Sequence, residues 1–179
     1  MNSIHISHLD KVRSTNDFSI DLIKNNISCN GIVISDAQTK GRGRYGNNWI
    51  SHKGNLFCSI YKKVKNRKDI YDAQFKSLRI VKKYLSKSGI QNTIIKIKKP
   101  NDILIKYKKI CGILVESIRY RKNLYLIVGI GLNLVQSPKI KYYKTTYANK
   151  YTKKNIKKLS FVNKFIFDCW NWTKFSTEP

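Results

Sequence analysis

Residues 38–49 read QTKGRGRYGNNW. Inside this stretch GRGRYG fits G-x-G-x-x-G, and the preceding run GIVIS (residues 31–35) has the β-branched content of a strand. A dinucleotide turn needs a helix next, because the pyrophosphate rests on that helix's N-terminus. The chain continues instead with NNWISHKGNLFCSI, poor helix material leading into a second strand at 55–64. The dinucleotide reading therefore fails on context, and a Walker-type phosphate loop fails because no G-K-[ST] occurs. Strand, loop and strand remain, with three glycines interleaved with Arg42 and Arg44. Gly41, Gly43 and Gly46 let backbone N–H groups approach an anion, and two guanidiniums add bidentate donors. Taken alone, the segment is read equally well as a solvated basic turn.

Upstream, Ser14 opens an S-x-x-D capping pattern with Asp17, and Phe18, Leu22 and Ile23 follow at helical spacing, so a helix is expected over 15–26. Downstream, Tyr71, Phe75, Leu78, Val81 and Leu85 step by three or four through residues 69–88, with Gly89 as a C-terminal cap. Short apolar runs at 93–98, 103–105, 110–115 and 124–134 are separated by brief polar turns, which implies antiparallel hairpins. A last helix is expected over 158–174, with Phe161, Val162, Phe165, Ile166, Cys169 and Trp170 on its apolar face. The pattern is α+β: a mixed, largely antiparallel sheet flanked by helices.

Two further clusters bear on function. KKPND (98–102) sets Pro100 before Asn101 and Asp102, and Lys109 opens the strand ICGILVE. VGIGLNLV puts Gly129, Gly131 and Asn133 in an apolar strand, where glycine leaves room beside the backbone. Together with the arginine loop they suggest a polar, anion-receptive pocket over a sheet. Each glycine could equally mark a bulge.

With 179 residues and 41% hydrophobic content, the expectation is one domain over 1–179. Cys29, Cys58, Cys111 and Cys169 share no zinc-finger or C-x-x-C spacing, and His5, His8 and His52 lack acidic or cysteine partners at ligand spacing. The N-terminus lacks the apolar core of a signal peptide, and no run approaches the roughly 18 apolar residues of a membrane span. A soluble, cytoplasmic protein is expected. The formal charge of +26 would draw polyanions, but the lysines are spread along the chain amid Ile, Asn and Tyr, and no nucleic-acid motif accompanies them.

Five motifs together resemble the biotin protein ligases: STND (14–17), QTKGRGRYGNNWIS (38–51), KKPNDI (98–103), KKICGILVES (108–117) and GIGLN (129–133). They occur in the family's order and span roughly residues 8–147. The resemblance implies a class II aminoacyl-tRNA synthetase/biotin ligase-like catalytic domain. It implies that biotin and MgATP give biotinyl-5′-AMP and pyrophosphate, and that a lysine of a biotin carboxyl carrier protein then takes the biotin. By resemblance Ser14, Thr15, Asn16 and Gln38 contact biotin, and Arg42, Gly43 and Arg44 hold the carboxylate and the adenylate phosphate. Lys109 stabilises charge on the reacting groups. Asn101, Asp102 and Asn133 resemble nucleotide-side residues, with Arg42 shared between substrates and Asp102 linked to Mg²⁺. Trp49, Gly112 and Gly131 read as structural.

This chain departs from the family's pattern in places. Lys99 stands where the family has Trp, and Tyr45 and Asn47 replace arginines common in its loop. Neither the family's N-terminal winged helix nor its C-terminal SH3-like β domain is expected within 1–179, so a truncated, non-catalytic biotin binder is one alternative. A lipoate or octanoate ligase or transferase of the same fold, and a basic nucleic-acid-binding module, are the others. A homodimer stays open, and the basic surface would speed encounter with an acidic carrier domain.

Overall fold

The computed structural model of the chain describes residues 4–170. One seven-stranded sheet organises it, built from β1 (His5–Val12), β2 (Asn30–Gln38), β3 (Leu56–Val64), β4 (Ile95–Lys98), β5 (Asp102–Ile105), β6 (Lys108–Tyr120) and β7 (Asn123–Leu132). The strand order is β1-β2-β3-β7-β6-β5-β4. Every pairing is antiparallel except β1 with β2, which run parallel. The helix α1 (Thr15–Lys24) supplies the crossover that a parallel return requires. The expected α+β architecture is the one observed.

β1 was not anticipated. HISHLDKV sits on the sheet edge with alternating half-buried and exposed residues; His5 and Ser7 take half-buried positions while the apolar Ile6 faces out, so no clear apolar alternation marks it. The helix starts match expectation more closely. Ser14 caps α1 by accepting from the Asp17 amide at 3.4 Å, and α1 ends at Lys24, two residues short of the expected 26.

The two faces of the sheet follow from the two-residue period of its strands. On one face Val33, Tyr61, Tyr125 and Ile127 pack under Leu22 and Ile23 of α1. On the other, Ile32, Ile34, Cys58, Ile60, Leu126, Val128 and Ile130 pack under two helices, α2 (Lys68–Lys87) and α3 (Lys158–Trp170). Phe161 bridges those helices, meeting Tyr84 edge-on at 4.6 Å and stacking on Phe165 at 5.5 Å. Lys158, at the start of α3, is tied to Asp36 of β2 at 2.5 Å.

One helix expectation needs correction. In α2 the buried stripe is Ala73, Ser77, Leu78, Val81 and Leu85, whereas Tyr71 and Phe75 face outward, 72% and 44% exposed. Small residues at 73 and 77 let the helix lie close to the sheet, which rotates the two aromatic rings onto its shoulder. Gly89 does cap the helix, at φ +98°, with the Ile90 amide returning to Leu85 O at 3.3 Å. In α3 the side chains of Ile166, Cys169 and Trp170 lie outside the described residues, as do residues 171–174. No helix among the described residues is long and apolar enough to cross a membrane.

Candidate functional site

On the α1 face, register decides where a cleft forms. Continuing Tyr125 and Ile127 along β7 brings Gly129 and Gly131 to this face; opposite them lie Ser59 and Phe57 on β3, and Leu114 and Gly112 on β6. The apolar side chains that fill one end of the face thus give way to glycine. A Cβ at Gly129 would lie 2.3 Å from Asn16 Oδ1, and one at Gly131 would lie 2.3 Å from Trp49 Cε2. At Gly112 it would lie 2.7 Å from Trp49 Cζ3. The bare strands are what let Asn16 and Trp49 approach the sheet, so the structural reading of Gly112, Gly131 and Trp49 agrees with this packing.

Above this floor lies a cleft of about 580 Å³. Ser14, Thr15, Asn16, Gln38, Arg42, Gly43, Arg44, Asn101, Asp102 and Lys109 all line it, drawn together from four separate parts of the chain. At one end they form a network of amides and hydroxyls. The Thr15 amide and hydroxyl both donate to Gln38 Oε1, at 2.9 and 3.2 Å, while Gln38 Nε2 donates to Ser51 Oγ at 3.2 Å. Ser59 Oγ lies 2.7 Å from Thr15 Oγ1 and 2.5 Å from Asn16 Oδ1. Thr15, Asn16 and Ser59 are all buried, so this network is fixed in orientation before any ligand arrives.

The other end is cationic. Residues 41–49 form a tight curl in which the Gly43 amide donates to Asn47 O at 2.6 Å and the Trp49 amide to Gly41 O at 2.8 Å. Tyr45 and Gly46 take positive φ at its tip, +56° and +74°. Arg44 lies on the Tyr45 ring, 4.8 Å from its centroid. Arg42 is clasped by the chain's own carboxylates, donating to both Glu116 oxygens at 2.9 and 2.7 Å and from Nε to Asp17 Oδ1 at 2.9 Å. Glu116 pushes the Arg42 pKa above its ordinary value, with Asp17 adding to the effect. Lys109 Nζ lies 2.8 Å from Asp102 Oδ1 and between two aromatic faces, 5.4 Å from the Trp49 ring and 5.3 Å from the Tyr143 ring.

Asn133 alone among the anticipated residues stands outside the lining. It is 2% exposed, donates to Thr146 O at 3.2 Å and accepts from Asn55 at 3.4 Å. Its amide holds the segment after β7 against the sheet. That segment is laced to β6 through the Lys109 amide to Lys144 O, 2.8 Å, and the Thr146 amide to Lys109 O, 2.9 Å. The lacing brings Tyr142 and Tyr143 to the cleft wall. Lys99, the anticipated loss of an aromatic wall, lies exposed over the Phe75 ring at 5.6 Å and outside the lining.

Sequence reasoning missed Glu116, Ser59 and the two tyrosines, and saw Asp17 only as a capping residue. Period two along β3 and β6 could have aligned Ser59 and Glu116 with the glycine face once the strands were paired. Nothing in KYYK signals a cleft wall.

The family model for biotin/lipoate A/B protein ligases matches residues 9–133. The bifunctional ligase/repressor BirA of Bacillus subtilis is 33% identical over 138 residues, covering 75% of this chain and 42% of that protein. Biotin–protein ligase 2 of Arabidopsis thaliana is 35% identical over 122 residues, covering 64% of this chain and 37% of its own. The chain therefore spans about two fifths of the length of these curated relatives. Among solved structures, the Leishmania major biotin protein ligase in complex with biotinyl-5-AMP superposes with a TM-score of 0.76 at 25% identity, over 93% of this chain and 74% of the other. The Aquifex aeolicus biotin protein ligase in complex with biotin and ATP gives 0.71 at 27%, over 97% and 72%.

Proposed function

Because the chain belongs to the biotin/lipoate A/B protein ligase family, we propose that its cleft activates biotin with MgATP and passes the biotinyl group to a lysine of a biotin carboxyl carrier protein. The observation that carries this reading is the division of one cleft into two chemistries, a fixed amide and hydroxyl end and a cationic end, over a glycine floor. A fused bicyclic ring with a polar ureido edge suits the first end. The second suits a carboxylate facing a triphosphate.

In the first half-reaction a biotin carboxylate oxygen attacks the α-phosphorus of ATP, the bond to the β-phosphate bridge breaks, and pyrophosphate leaves. Two anions must meet, so the residues contribute chiefly by positioning and charge. Thr15, Asn16, Gln38 and Ser59 orient the ring. Arg42 and Arg44 would face the carboxylate and α-phosphate, with the Gly43 backbone beside them, and Lys109, which lines the same cleft, would stabilise charge on the reacting groups. Curling of residues 41–49 over the cleft excludes water from the mixed anhydride. In the second half-reaction the carrier's lysine amine attacks the biotinyl carbonyl and AMP departs. The basic surface would speed docking of an acidic carrier domain.

Mg²⁺ arrives with ATP, where it neutralises phosphate charge. Among the described residues no cluster of three or more His, Cys, Asp or Glu is present to hold a resident metal. Asp102 offers one carboxylate, with Oδ1 engaged by Lys109, and a single carboxylate plus substrate phosphates is a donor set this ion accepts. Asn101 and Asp102 are therefore the nucleotide-side residues of this reading.

The test is pyrophosphate release from MgATP as a function of biotin. Folded protein that neither binds biotin nor releases pyrophosphate would overturn the proposal, and binding without release would reduce it to a biotin-binding protein. The family's breadth favours lipoate or octanoate ligation as the second reading. A hydrocarbon tail would take up none of the hydrogen bonds that the polar end around Thr15, Asn16 and Gln38 can offer a ureido edge, which disfavours it. Equal competition by lipoate and biotin would reverse that preference.

A further inference from the structure

Glu116 belongs to neither set of groups assigned above, yet it touches both. Its side chain stands on the α1 face of β6, one period beyond Leu114 and Gly112. Both carboxylate oxygens bind the Arg42 guanidinium, at 2.9 and 2.7 Å. The same Oε2 accepts from Asn16 Nδ2 at 2.6 Å. Asn16 cannot turn away, because its Oδ1 is held by Ser59 and its amide lies against Gly129. Glu116 is thus a rigid strut between the buried floor of the cleft and the loop that covers it.

The geometry points to Glu116 as the positioning residue that aims Arg42 into the cleft and so fixes the loop over the ligand. This inference rests on the ligase reading for its kinetic consequence but not for its structural one. Several features separate a strut from an incidental ion pair. The contact is bidentate, and a planar fork held by two parallel bonds has one orientation. The carboxylate is only 25% exposed, and it is anchored by a second, buried partner. Asp17 completes the clasp with one oxygen, which meets both Nε and Nη2, but it is 39% exposed and has no such anchor. The clasp uses Nε, one hydrogen of Nη1 and both of Nη2, which lies 2.7 Å from Asp17 Oδ1 as well as on Glu116, leaving one Nη1–H of Arg42 to meet an anion in the cleft it lines.

Glu116→Gln is the discriminating variant, since its amide oxygen can still accept from Asn16 while the two-oxygen grip on Arg42 is lost. In the ligand-free protein, amide hydrogen exchange at Gly43, Asn47 and Trp49 should accelerate at least about tenfold in Glu116→Gln and equally in Arg42→Ala. Asp17→Asn should accelerate it less. In pyrophosphate release, Glu116→Gln should raise the KM for biotin and lower kcat together by about tenfold. In an Arg42→Ala background it should add nothing, because it acts through Arg42. Unchanged loop exchange in Glu116→Gln overturns the inference, as does a full additional loss in the Arg42→Ala background. Wild-type protein that releases no pyrophosphate would sink the ligase reading alone, because the exchange comparison stands without it.

Discussion

Replacing Gly131 by alanine drives a methyl group into Trp49. A Cβ there would lie 2.3 Å from Trp49 Cε2 and 2.6 Å from both Cζ2 and Nε1, whereas non-bonded carbons settle about 3.5–4.0 Å apart. The indole would have to retreat by about 1 Å or more. It is a rigid bicycle seated across Gly112 as well as Gly131, so any retreat moves the whole ring. Overpacking of this kind costs about 1–3 kcal/mol. Alanine recovers about 0.5–1 kcal/mol of glycine's conformational entropy, leaving a net loss of about 0.5–2 kcal/mol and a fall in Tm of about 1–8 °C for a chain of this size. Gly112→Ala should cost less, since its nearest indole atom is 2.7 Å away rather than 2.3 Å. The assay is urea and thermal unfolding of Gly131→Ala, Trp49→Ala, the double variant and wild type. With the indole removed the methyl has room, so the double variant should regain at least about 1 kcal/mol relative to additivity. An equal cost of Gly131→Ala in both backgrounds would refute the claim that the glycine floor exists to seat Trp49.

The same geometry sets further outcomes. Arg42→Ala should cut biotin-dependent pyrophosphate release by about 100-fold or more, with a stability change within about 1 kcal/mol because its ion pairs are partly exposed; an unfolded variant would refute this. The hydrogen bond from Lys158 holds the Asp36 carboxyl below its ordinary value, with His8 adding to it. A carboxyl depressed in the fold contributes stability above its unfolded pKa of about 3.9 and loses it as pH falls through the folded value. The Tm of Asp36→Asn should therefore trail wild type at neutral pH, and the gap should close on acidification below about pH 4. Burial pushes the Cys58 thiol up to about 12 and raises Cys111 as well, while Cys29 is exposed. A thiol reagent should modify Cys29 in the native protein, and reach Cys58 and Cys111 only on unfolding.

The parts of the site legible in the sequence were those whose chemistry is local. GRGR between two strands, Ser14 at a helix start and Asp102 after a proline all carry their meaning within a few residues. The hidden parts depend on partners far along the chain. Arg42 reads as a free cation until the sheet brings Glu116, 74 residues away, onto it. Asn133 reads as a nucleotide-side residue through the family resemblance alone, and in the fold it follows the end of β7 at Leu132 with its amide donating to Thr146 O. β1 escaped notice because an edge strand needs only one apolar face, and Tyr71 and Phe75 misled because a three-four spacing does not say which flank of a helix is buried. The hairpins β4 to β7 were legible since short polar turns leave an antiparallel return as the only geometry.

The buried network beneath the cleft joins α1 to β3 over 43 residues and α1 to β6 over 100, with Gly129 of β7 as its base. No contiguous fragment short of β7 contains the pocket. Such contacts form only after long loops have closed, so they arrive late in folding. A nascent chain must therefore be synthesised through β7 before it can recognise anything, and a ligand seated there engages only molecules whose central strands have already docked. Ligand capture thus doubles as an inspection of the finished sheet, and a ligand supplied during refolding should raise the yield of native protein without speeding its first steps.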